Sequence, residues 1–522
     1  MAWRGTIGGG VTTMLFKAAM AAICAVVLGW SGAAAARGAD TVRVEGGLIA
    51  GTATDGVRAF FGVPYAAPPV GDLRWRAPRP VKPWNGVRPA TAFSPVCRQT
   101  APWITEPQSE DCLYLNIWAP AAPSSAKRPV MVWIHGGGFF GGSGSQAQYD
   151  GARLTRRDVV VVTLNYRLGL LGFFSHPDLT AESPDRASGN QGVLDQIAAL
   201  RWIHDNIAAV GGDPSRVTIM GESAGGESVA ILVASPLAKG LFQRAISESG
   251  NYGLPLDPAE ARQFDMAEAE AAGAAFAQAN GASGIAGLRA LPAEQLLRAA
   301  WSPRTVVDGH LLREDLTTLY RAGRQNRVPI LVGWNADEGK DLAPEIFATS
   351  QFTAERHAAL LEGLLHKKPS AAMLAKYPAR TDAEARASID RFTTDYWGWR
   401  IWFWARLQAA RNGDRAYVYH FVHSPTEPLE PCGYGCKAGH GAEIRYVFDQ
   451  LWQDPRPWGG DDRLLADQIA GYWTNFAKSG DPNGAGLPRW TPFDGSDRTI
   501  HRLGAPAEAA ERGAVDFRVF EP

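Results

Sequence analysis

The sequence predicts a doubly wound α/β fold, in which helices cover both faces of a mostly parallel sheet. Residues 130–134 and 159–164 are short, continuously apolar runs, as expected for strands buried on both faces of such a sheet. Residues 194–209 have apolar side chains at helical spacing and are followed by glycine, which ends helices. Strands and helices that alternate at these lengths are typical of this fold class.

The other elements follow in chain order. Residues 41–44 and 47–51 alternate like the strands of a small antiparallel hairpin, and residues 60–80 are rich in proline and aromatics, which favours extended chain. Three further runs predict strands: residues 216–220, 328–333 and 417–422. Two segments with helical periodicity predict helical excursions over the carboxyl edge of the sheet: residues 259–300 and 352–407.

The composition is that of an ordinary globular protein. Of 522 residues, 46% are hydrophobic and 20% are charged, and the formal net charge is −1. This balance gives no sign of a basic nucleic-acid-binding surface, so we expect no nucleic-acid partner. No linker or low-complexity run divides the chain, and we expect residues 37–522 to form a single domain. The oligomeric state is not predicted.

The N-terminus predicts a signal peptide over residues 1–36. Arg4 and Lys17 precede an apolar run at residues 18–30, and the alanines at residues 33–36 supply the small side chains of a cleavage site. The run is shorter than the roughly 20 residues of a membrane span. We therefore expect export to the periplasm or the exterior, with no stable membrane span after cleavage. An uncleaved anchor is the alternative.

The cysteines are consistent with export. Without Cys24 of the leader, the remaining cysteines are Cys97, Cys112, Cys432 and Cys436. An even number in an exported chain indicates two disulfides, with three possible pairings, of which the local one joins Cys97 to Cys112 and Cys432 to Cys436. Structural zinc is the alternative, but Cys97 and Cys112 lack the C-x-x-C spacing of zinc sites. We expect no metal and no organic cofactor.

A Gly-x-Ser-x-Gly motif at residues 221–225 makes Ser223 the candidate nucleophile. The motif follows a predicted strand and precedes a helical stretch, a turn that strains the serine and requires glycine beside it. The hydroxyl then stands above the sheet near a helix N-terminus, whose partial positive charge favours a developing anion. A serine in an ordinary glycine-rich turn is the alternative for the motif taken alone.

A candidate oxyanion hole lies at residues 133–139, whose sequence is Trp-Ile-His-Gly-Gly-Gly-Phe. Consecutive glycines let backbone N–H groups approach a tetrahedral intermediate, and each such donor contributes about 3–4 kcal/mol. We expect Gly137, Gly138 and Ala224 to be the donors. A phosphate-binding loop is the alternative, but no Lys-Ser/Thr pair follows.

A serine nucleophile requires a base that is itself oriented by a carboxylate. Among ten histidines, His440 lies in a glycine-flanked loop late in the chain, where the Ser–acid–His order of α/β-hydrolases places the base. His420 and His423 are alternatives, although His420 falls in a predicted strand and is interpreted as a packed residue. Asp337 and Glu338 both follow a predicted strand, and their chemistry alone does not decide which is the acid.

Further motifs occur in the order typical of one family. They are F-G-V-P-Y-A at residues 61–66, E-D-C-L-Y-L-N at 110–116, N-Y-R at 165–167, S-E-S-G at 247–250, D-E-G at 337–339 and E-I-R-Y-V-F at 443–448. Together with the glycine loop and the serine motif, they make the chain resemble the type-B carboxylesterases, the family that also contains the cholinesterases. The matching motifs run from residue 60 to beyond His440.

This resemblance implies an α/β-hydrolase fold and a serine hydrolase that cleaves small-molecule carboxylic esters without a cofactor. The acid of the family is the glutamate of D-E-G, which corresponds to Glu338. The first disulfide of the family closes on the cysteine before L-Y-L-N, which supports the pairing of Cys97 with Cys112.

The chain departs from the family in two places. The loop from Cys97 to Cys112 is shorter than the cholinesterase loop that carries the choline-binding aromatic, so a cholinesterase is not indicated. Trp103 in this loop is interpreted as a packed or exposed aromatic rather than a cation cage. The Cys432 to Cys436 segment has no general counterpart, and a disulfide there would either stiffen the loop bearing His440 or act as a surface staple.

The predicted reaction is acyl transfer through a covalent intermediate. His440 takes the proton of Ser223 as the serine attacks the ester, the leaving alcohol receives that proton, and water repeats the steps. The same groups acting on a thioester, amide, carbamate or lactone are one alternative, and a non-catalytic binding relative is another. Aromatic residues at 396–404 are interpreted as core packing rather than pocket lining, and the acyl and alcohol preferences are not predicted.

Overall fold

The computed structural model describes residues 40–250, 264–412, 415–425, 437–453, 456–494, 499–504, 512–514 and 516–521. A thirteen-stranded sheet runs through the molecule, and residues Thr41–Pro522 form one compact unit. The expected signal peptide and the pair Cys432 and Cys436 lie outside the described residues.

The strands, in chain order, are β1 (Asp40–Val44), β2 (Gly47–Thr54), β3 (Val57–Pro64), β4 (Val87–Pro89), β5 (Val96–Cys97), β6 (Gln108–Ser109), β7 (Tyr114–Pro120), β8 (Arg128–Ile134), β9 (Val160–Leu164), β10 (Gly212–Glu222), β11 (Arg244–Glu248), β12 (Phe264–Asp265), β13 (Val306–Val307), β14 (Ile330–Asn335), β15 (Ala416–Phe421), β16 (Thr499–Leu503) and β17 (Arg512–Ala514). Strands β5 and β6 form a separate small pair, as do β12 and β13.

The order across the main sheet is β1-β2-β3-β7-β9-β8-β10-β11-β14-β15-β16-β17, with β4 beside β2. From β9 to β16, each strand pairs with its neighbour in parallel. Antiparallel pairs join β2 to β3, β3 to β7, β7 to β9 and β16 to β17 at the two ends. The prediction of a mostly parallel sheet is therefore confirmed, and the early strands expected as a hairpin belong to this same sheet.

The helices are α1 (Ala152–Thr155), α2 (Gly169–Gly172), α3 (Pro177–Glu182), α4 (Gln191–Asn206), α5 (Ala224–Ala234), α6 (Met266–Ala279), α7 (Ile285–Ala290), α8 (Ala293–Leu297), α9 (Leu316–Arg321), α10 (Glu338–Ile346), α11 (His357–Leu365), α12 (Ala371–Lys376), α13 (Asp382–Asn412), α14 (Ile444–Val447) and α15 (Gly460–Ser479). The helix predicted at residues 194–209 is α4 with a short 3₁₀ turn, and it ends at Gly211 with φ 91°. The two predicted excursions form α6 to α8 and α11 to α13.

Helices cover both faces of the sheet because its strands are apolar on both sides. Along β8, Val130 and Val132 face one core, which also contains residues of α4, α5 and α13. The alternate residues Met131 and Trp133 face the second core, which contains residues of α15. Two layers of helices on a parallel sheet leave the carboxyl ends of the strands as the place where loops meet.

The disulfide predicted between Cys97 and Cys112 is present, with an S–S distance of 2.01 Å. Its sulfurs are therefore not available as thiolate ligands for zinc. Within the described residues there is no group of three or more His, Cys, Asp and Glu side chains arranged to hold a metal ion. None of the described helices is long and apolar enough to cross a membrane.

Candidate active site

Ser223 occupies a sharp turn between β10 and α5. Its φ of 55° and ψ of −125° are strained for a residue with a side chain. The turn fits only because its neighbours are glycines: a Cβ on Gly221 would lie 2.6 Å from the Ile134 carbonyl oxygen, and one on Gly225 would overlap the same atom. The Ser223 N–H donates to the Glu248 carbonyl at 2.9 Å, which ties the turn to β11.

His440 and Glu338 form a buried pair. The His440 Nδ1 lies 2.5 Å from the Glu338 Oε2, and both side chains are at most 1% exposed. The other carboxylate oxygen, Oε1, accepts hydrogen bonds from the Asn335 N–H at 2.9 Å and from the Ser249 hydroxyl at 2.5 Å. These two donors hold the carboxylate so that Oε2 is directed at the imidazole.

Asp337, the other candidate acid, supports the loop rather than the ring. Its N–H donates to the Ala438 carbonyl at 2.8 Å, and its Oδ2 accepts from the Ala438 N–H at 3.2 Å. One turn along α10, the Asp341 Oδ2 accepts the His440 N–H at 2.9 Å. The imidazole itself is contacted by Glu338.

The second nitrogen of His440 faces the nucleophile's turn. Its Nε2 lies 3.2 Å from the Oε1 of Glu222, the residue before Ser223. In enzymes with a serine nucleophile, the hydrogen bond from the serine hydroxyl to its base often tightens only when substrate binds. The structure thus brings His440 to the elbow with its Nδ1 already occupied by an acid.

The glycine loop, residues 136–144, lies against this turn and is called the oxyanion loop below. A Cβ on Gly136 would lie 3.1 Å from the Ser223 Cβ. Gly137 and Gly138 have φ of 97° and 58°, which glycine tolerates best. No backbone hydrogen bond among the described loops and turns uses the N–H of either glycine. Ala224 is the first residue of α5, so its N–H has no acceptor within the helix.

Four buried glutamates crowd the same region: Glu222, Glu248, Glu338 and Glu443. Burial raises the pKa of Glu222 to about 7, although the nearby His440 opposes the change. Burial also raises the pKa of Glu443 to about 8, and the charges of Glu222 and Glu338 add to the effect. Removing one of these carboxylates would therefore change the protonation of the others.

The same carboxylates act on His440. Burial alone would lower the pKa of this imidazole, but the charges of Glu222 and Glu338 outweigh burial and raise the pKa above its usual range. His440 is therefore a stronger base than an ordinary histidine.

The alternative histidines lie elsewhere. His420 stacks on Trp334 with ring centroids 5.0 Å apart, and burial lowers its pKa to about 4. His423 is buried, with its Nε2 2.6 Å from Asp462 Oδ1. His420 is thus packed, as the sequence predicts.

Several residues at the site were not singled out from the sequence. Glu222 and Ser249 are two of them, and Trp397 is a third. Trp397 donates its indole N–H to the Ser249 carbonyl at 2.9 Å, and its ring lies edge-on to His440, with the ring centroids 6.2 Å apart. Trp397 also belongs to the core, with the other tryptophans of this stretch, as the interpretation of residues 396–404 as core packing expects: Trp399, Trp402 and Trp404. Ser249 lies in the S-E-S-G motif, but its contact with the acid arises only because β11 and β14 are neighbours.

A strained serine, a buried histidine–carboxylate pair and unpaired glycine N–H groups are the parts needed for acyl transfer. Ser223 follows β10, Glu338 follows β14 and His440 lies in a loop after β15 of the same sheet. This fold and site define the α/β-hydrolase class.

Comparison with known proteins narrows the class to one family. Residues 38–517 match the model of the carboxylesterase family. The chain belongs to the carboxylesterase family and is a carboxylic-ester hydrolase.

Individual relatives are similar along most of their length. The chain is 35% identical to fumonisin B1 esterase of Sphingopyxis macrogoltabida, over 87% of this chain and 84% of that protein. It is 36% identical to para-nitrobenzyl esterase of Bacillus subtilis (strain 168), over 85% of this chain and 90% of that protein. A solved structure of PNB esterase superposes with a TM-score of 0.75 at 36% identity, covering 89% of this chain and 96% of that one.

Proposed function

We propose that Ser223, His440 and Glu338 carry out ester hydrolysis through an acyl-enzyme intermediate. Neutral His440 takes the proton of the Ser223 hydroxyl as the oxygen attacks the ester carbonyl. The protonated imidazole, held by Glu338, then gives the proton to the leaving alcohol. Water attacks the acyl-enzyme with His440 again as base, and the acid product leaves.

We assign the N–H groups of Gly137, Gly138 and Ala224 to the oxyanion hole. Both glycines belong to a loop that packs against Ser223, and Ala224 starts the helix that follows it. The partial positive charge of that helix N-terminus adds to the stabilisation of the developing negative charge.

The observation that carries this proposal is the buried contact of 2.5 Å between His440 Nδ1 and Glu338 Oε2. With Nδ1–H donated to the carboxylate, Nε2 is the nitrogen that can accept a proton. That nitrogen lies 3.2 Å from Glu222, the residue bonded to Ser223.

Carboxylic esters, rather than thioesters, amides, carbamates or lactones, are the substrates we propose. The two relatives named above are both called esterases, one of fumonisin B1 and one of a para-nitrobenzyl compound. Because these compounds differ, we propose small-molecule esters as a class and no single substrate.

The test is the variant Ser223→Ala with p-nitrophenyl butyrate. We expect kcat to fall by roughly 10⁴-fold or more, since the nucleophile is removed while the fold remains. Mass spectrometry should also find a fluorophosphonate probe bound to Ser223 in the parent. The control Ser124→Ala removes an exposed surface hydroxyl and should match the parent. A parent with neither activity nor adduct would point to a non-catalytic binding relative.

We also propose that the protein is exported with loss of residues 1–36. The leader pattern and the Cys97–Cys112 disulfide, which is stable in oxidising compartments, support this location. N-terminal sequencing of protein recovered from periplasm and medium should find a chain that starts near residue 37. Recovery of only the full-length chain from the cytosol would contradict it.

A further inference from the structure

The loop closed by the disulfide, residues 97–112, packs directly on the oxyanion loop. We call it the disulfide loop. Its buried side chains Ala101 and Ile104, together with Val96 just before it, form a small cluster against which Phe140 of the oxyanion loop packs. A Cβ on Gly141 would lie 2.5 Å from the Ala101 Cβ, so the two backbones meet at close range. The packing of the disulfide loop on the oxyanion loop takes no direct part in the proposed reaction.

The Gln99 side chain joins the two loops by short hydrogen bonds, and a longer one of 3.4 Å runs from the Ser143 hydroxyl to the Glu106 Oε1. Gln99 is buried, with 6% of its surface exposed. Its Oε1 accepts the Gly142 N–H at 2.7 Å, and its Nε2 donates to the Gly142 carbonyl at 2.9 Å. The same Nε2 donates to the Cys97 carbonyl, also at 2.9 Å. Both donors of the amide are used, and its oxygen faces an N–H, so only one orientation of the amide satisfies all three groups.

Gly142 is the point at which the oxyanion loop needs such a partner. Its φ is 111°, and a Cβ there would overlap the His135 Nδ1, so no side chain of its own can anchor this position. On one side of Gly142, the Gly137 carbonyl accepts the N–H of Phe140 and of Gly141, which closes a turn. Holding Gly142 therefore holds the turn that carries the two glycine donors.

The far end of the loop has a different anchor. Gly144 donates its N–H to the Asn165 Oδ1 at 2.8 Å, and its carbonyl accepts the Thr163 hydroxyl at 2.6 Å. These partners belong to the end of β9 and the residue after it, which are part of the sheet. Gln99 is thus the anchor of Gly142, supplied by the disulfide loop rather than by the sheet, and its own position depends on the disulfide two residues away.

We infer that Gln99 is a positioning residue for the oxyanion hole. Its amide holds Gly142, and through the closed turn it holds Gly137 and Gly138 where the oxyanion forms. Such donors stabilise a transition state only when they are already in place, so a looser loop costs rate rather than substrate binding. This inference rests on the proposed function, because it assumes that these glycines are the donors.

The experiment compares Gln99→Met with Thr105→Val. Methionine has nearly the shape of glutamine but makes none of the three hydrogen bonds. Thr105 is an exposed residue of the same disulfide loop, and valine only replaces its hydroxyl by a methyl group, so this variant controls for a side-chain change in that loop. Measured quantities are kcat and KM for p-nitrophenyl butyrate, the inhibition constant of a trifluoromethyl ketone, and the thermal unfolding midpoint.

We expect Gln99→Met to lower kcat by roughly tenfold or more and KM by little, because the loss is confined to the transition state. The trifluoromethyl ketone, whose adduct mimics the tetrahedral intermediate, should lose affinity by the same factor. Thr105→Val should keep the parent kcat and inhibition constant. If Gln99→Met does not fold, Gln99→Glu, which retains an acceptor for the Gly142 N–H but loses the amide donors, should show the same direction.

The inference is overturned if a folded Gln99 variant keeps the parent kcat and ketone affinity, or if Thr105→Val loses as much. A fall in the unfolding midpoint with unchanged kinetics would also overturn it, since that is the result for a merely structural side chain. Failure of the proposed function gives a different result: the parent is inactive, or Ser223→Ala stays active. Either result would also overturn the inference about Gln99.

Discussion

The turn that carries Ser223 and the loop that carries His440 are held in opposite ways. The turn depends on the absence of side chains at Gly221 and Gly225, which leaves room for the Ile134 carbonyl. The loop depends on side chains about a hundred residues away, such as Asp337 and Asp341, which bond to the backbone of residues 438 and 440.

This difference separates two kinds of sensitivity. The turn of Ser223 is possible only because no side-chain atoms fill the space beside it, so adding one atom there should disturb folding and activity together. The loop of His440 is held by hydrogen bonds and by nearby charges. Changing a proton or a charge there should therefore alter the rate and its pH dependence while the fold persists. Three substitutions can test this contrast.

The largest effect is expected from Glu338→Gln. The side chain keeps its shape, and its oxygen can still accept from Asn335 and Ser249, but an amide can no longer stabilise the protonated imidazole. By analogy with serine hydrolase triads, kcat should fall by about 10³–10⁴-fold. The measurement is kcat for p-nitrophenyl butyrate, normalised by active-site titration.

Asp337→Asn is the matched control for Glu338→Gln, because it makes the same chemical change one residue earlier. Asp337 bonds to the backbone of Ala438 and not to the ring, so we expect a loss of kcat below about tenfold. Equal losses of kcat in the two variants would contradict the assignment of Glu338 as the acid.

The next effect is on stability, from Gly225→Ala. The new Cβ would overlap the Ile134 carbonyl oxygen in the middle of the sheet. Overpacking of this kind costs about 1–3 kcal/mol, and we expect the upper part of that range or more because backbone must move. Urea unfolding measures the change, and kcat should fall with it.

Gly363→Ala provides the comparison for Gly225→Ala. Gly363 lies in α11 with nothing within 4 Å of an added Cβ. Alanine there should leave stability unchanged or raise it by up to about 1 kcal/mol. A Gly225→Ala protein as stable and as active as the parent would remove the steric explanation of the turn.

The same contrast explains what could be predicted from the sequence. Strands β8, β9 and β14 can be located from the sequence because burial on both faces leaves a continuous apolar run. Ser223 could be found because its requirements are local: glycines at fixed spacing between a strand and a helix. The ends of the strands are harder to predict than their existence: β10 extends over Gly212–Glu222 and not only over residues 216–220.

The surroundings of His440 could not be predicted in this way. Chemistry did not separate Asp337 from Glu338, because both can orient an imidazole and only the direction of each side chain decides. Glu222 stands at the variable position of Gly-x-Ser-x-Gly, and its contact with His440 depends on a loop more than 200 residues later. Residues that meet through sheet neighbours leave no spacing pattern in the chain.

The smallest of the three effects concerns pH and Glu222→Gln. Glu222 is the nearest charge to the Nε2 of His440 and raises the pKa of that imidazole. Only neutral His440 can act as base, so kcat/KM should fall as the pH is lowered through this pKa. Replacing the carboxylate by a neutral amide lowers the pKa, and the acid limb of the profile should move to lower pH by about one unit.

Glu227→Gln is the control that makes this shift specific. Glu227 lies one turn further along α5, and burial raises its pKa to about 7, as it does for Glu222. However, the largest effects on the pKa of His440 come from burial and from the carboxylates of Glu222, Glu338 and Glu443, and Glu227 is not one of these groups. Its variant should therefore keep the acid limb of the parent. An unmoved limb in Glu222→Gln would mean that the pH dependence follows another group, and an equal shift in both variants would make it a property of the whole carboxylate cluster.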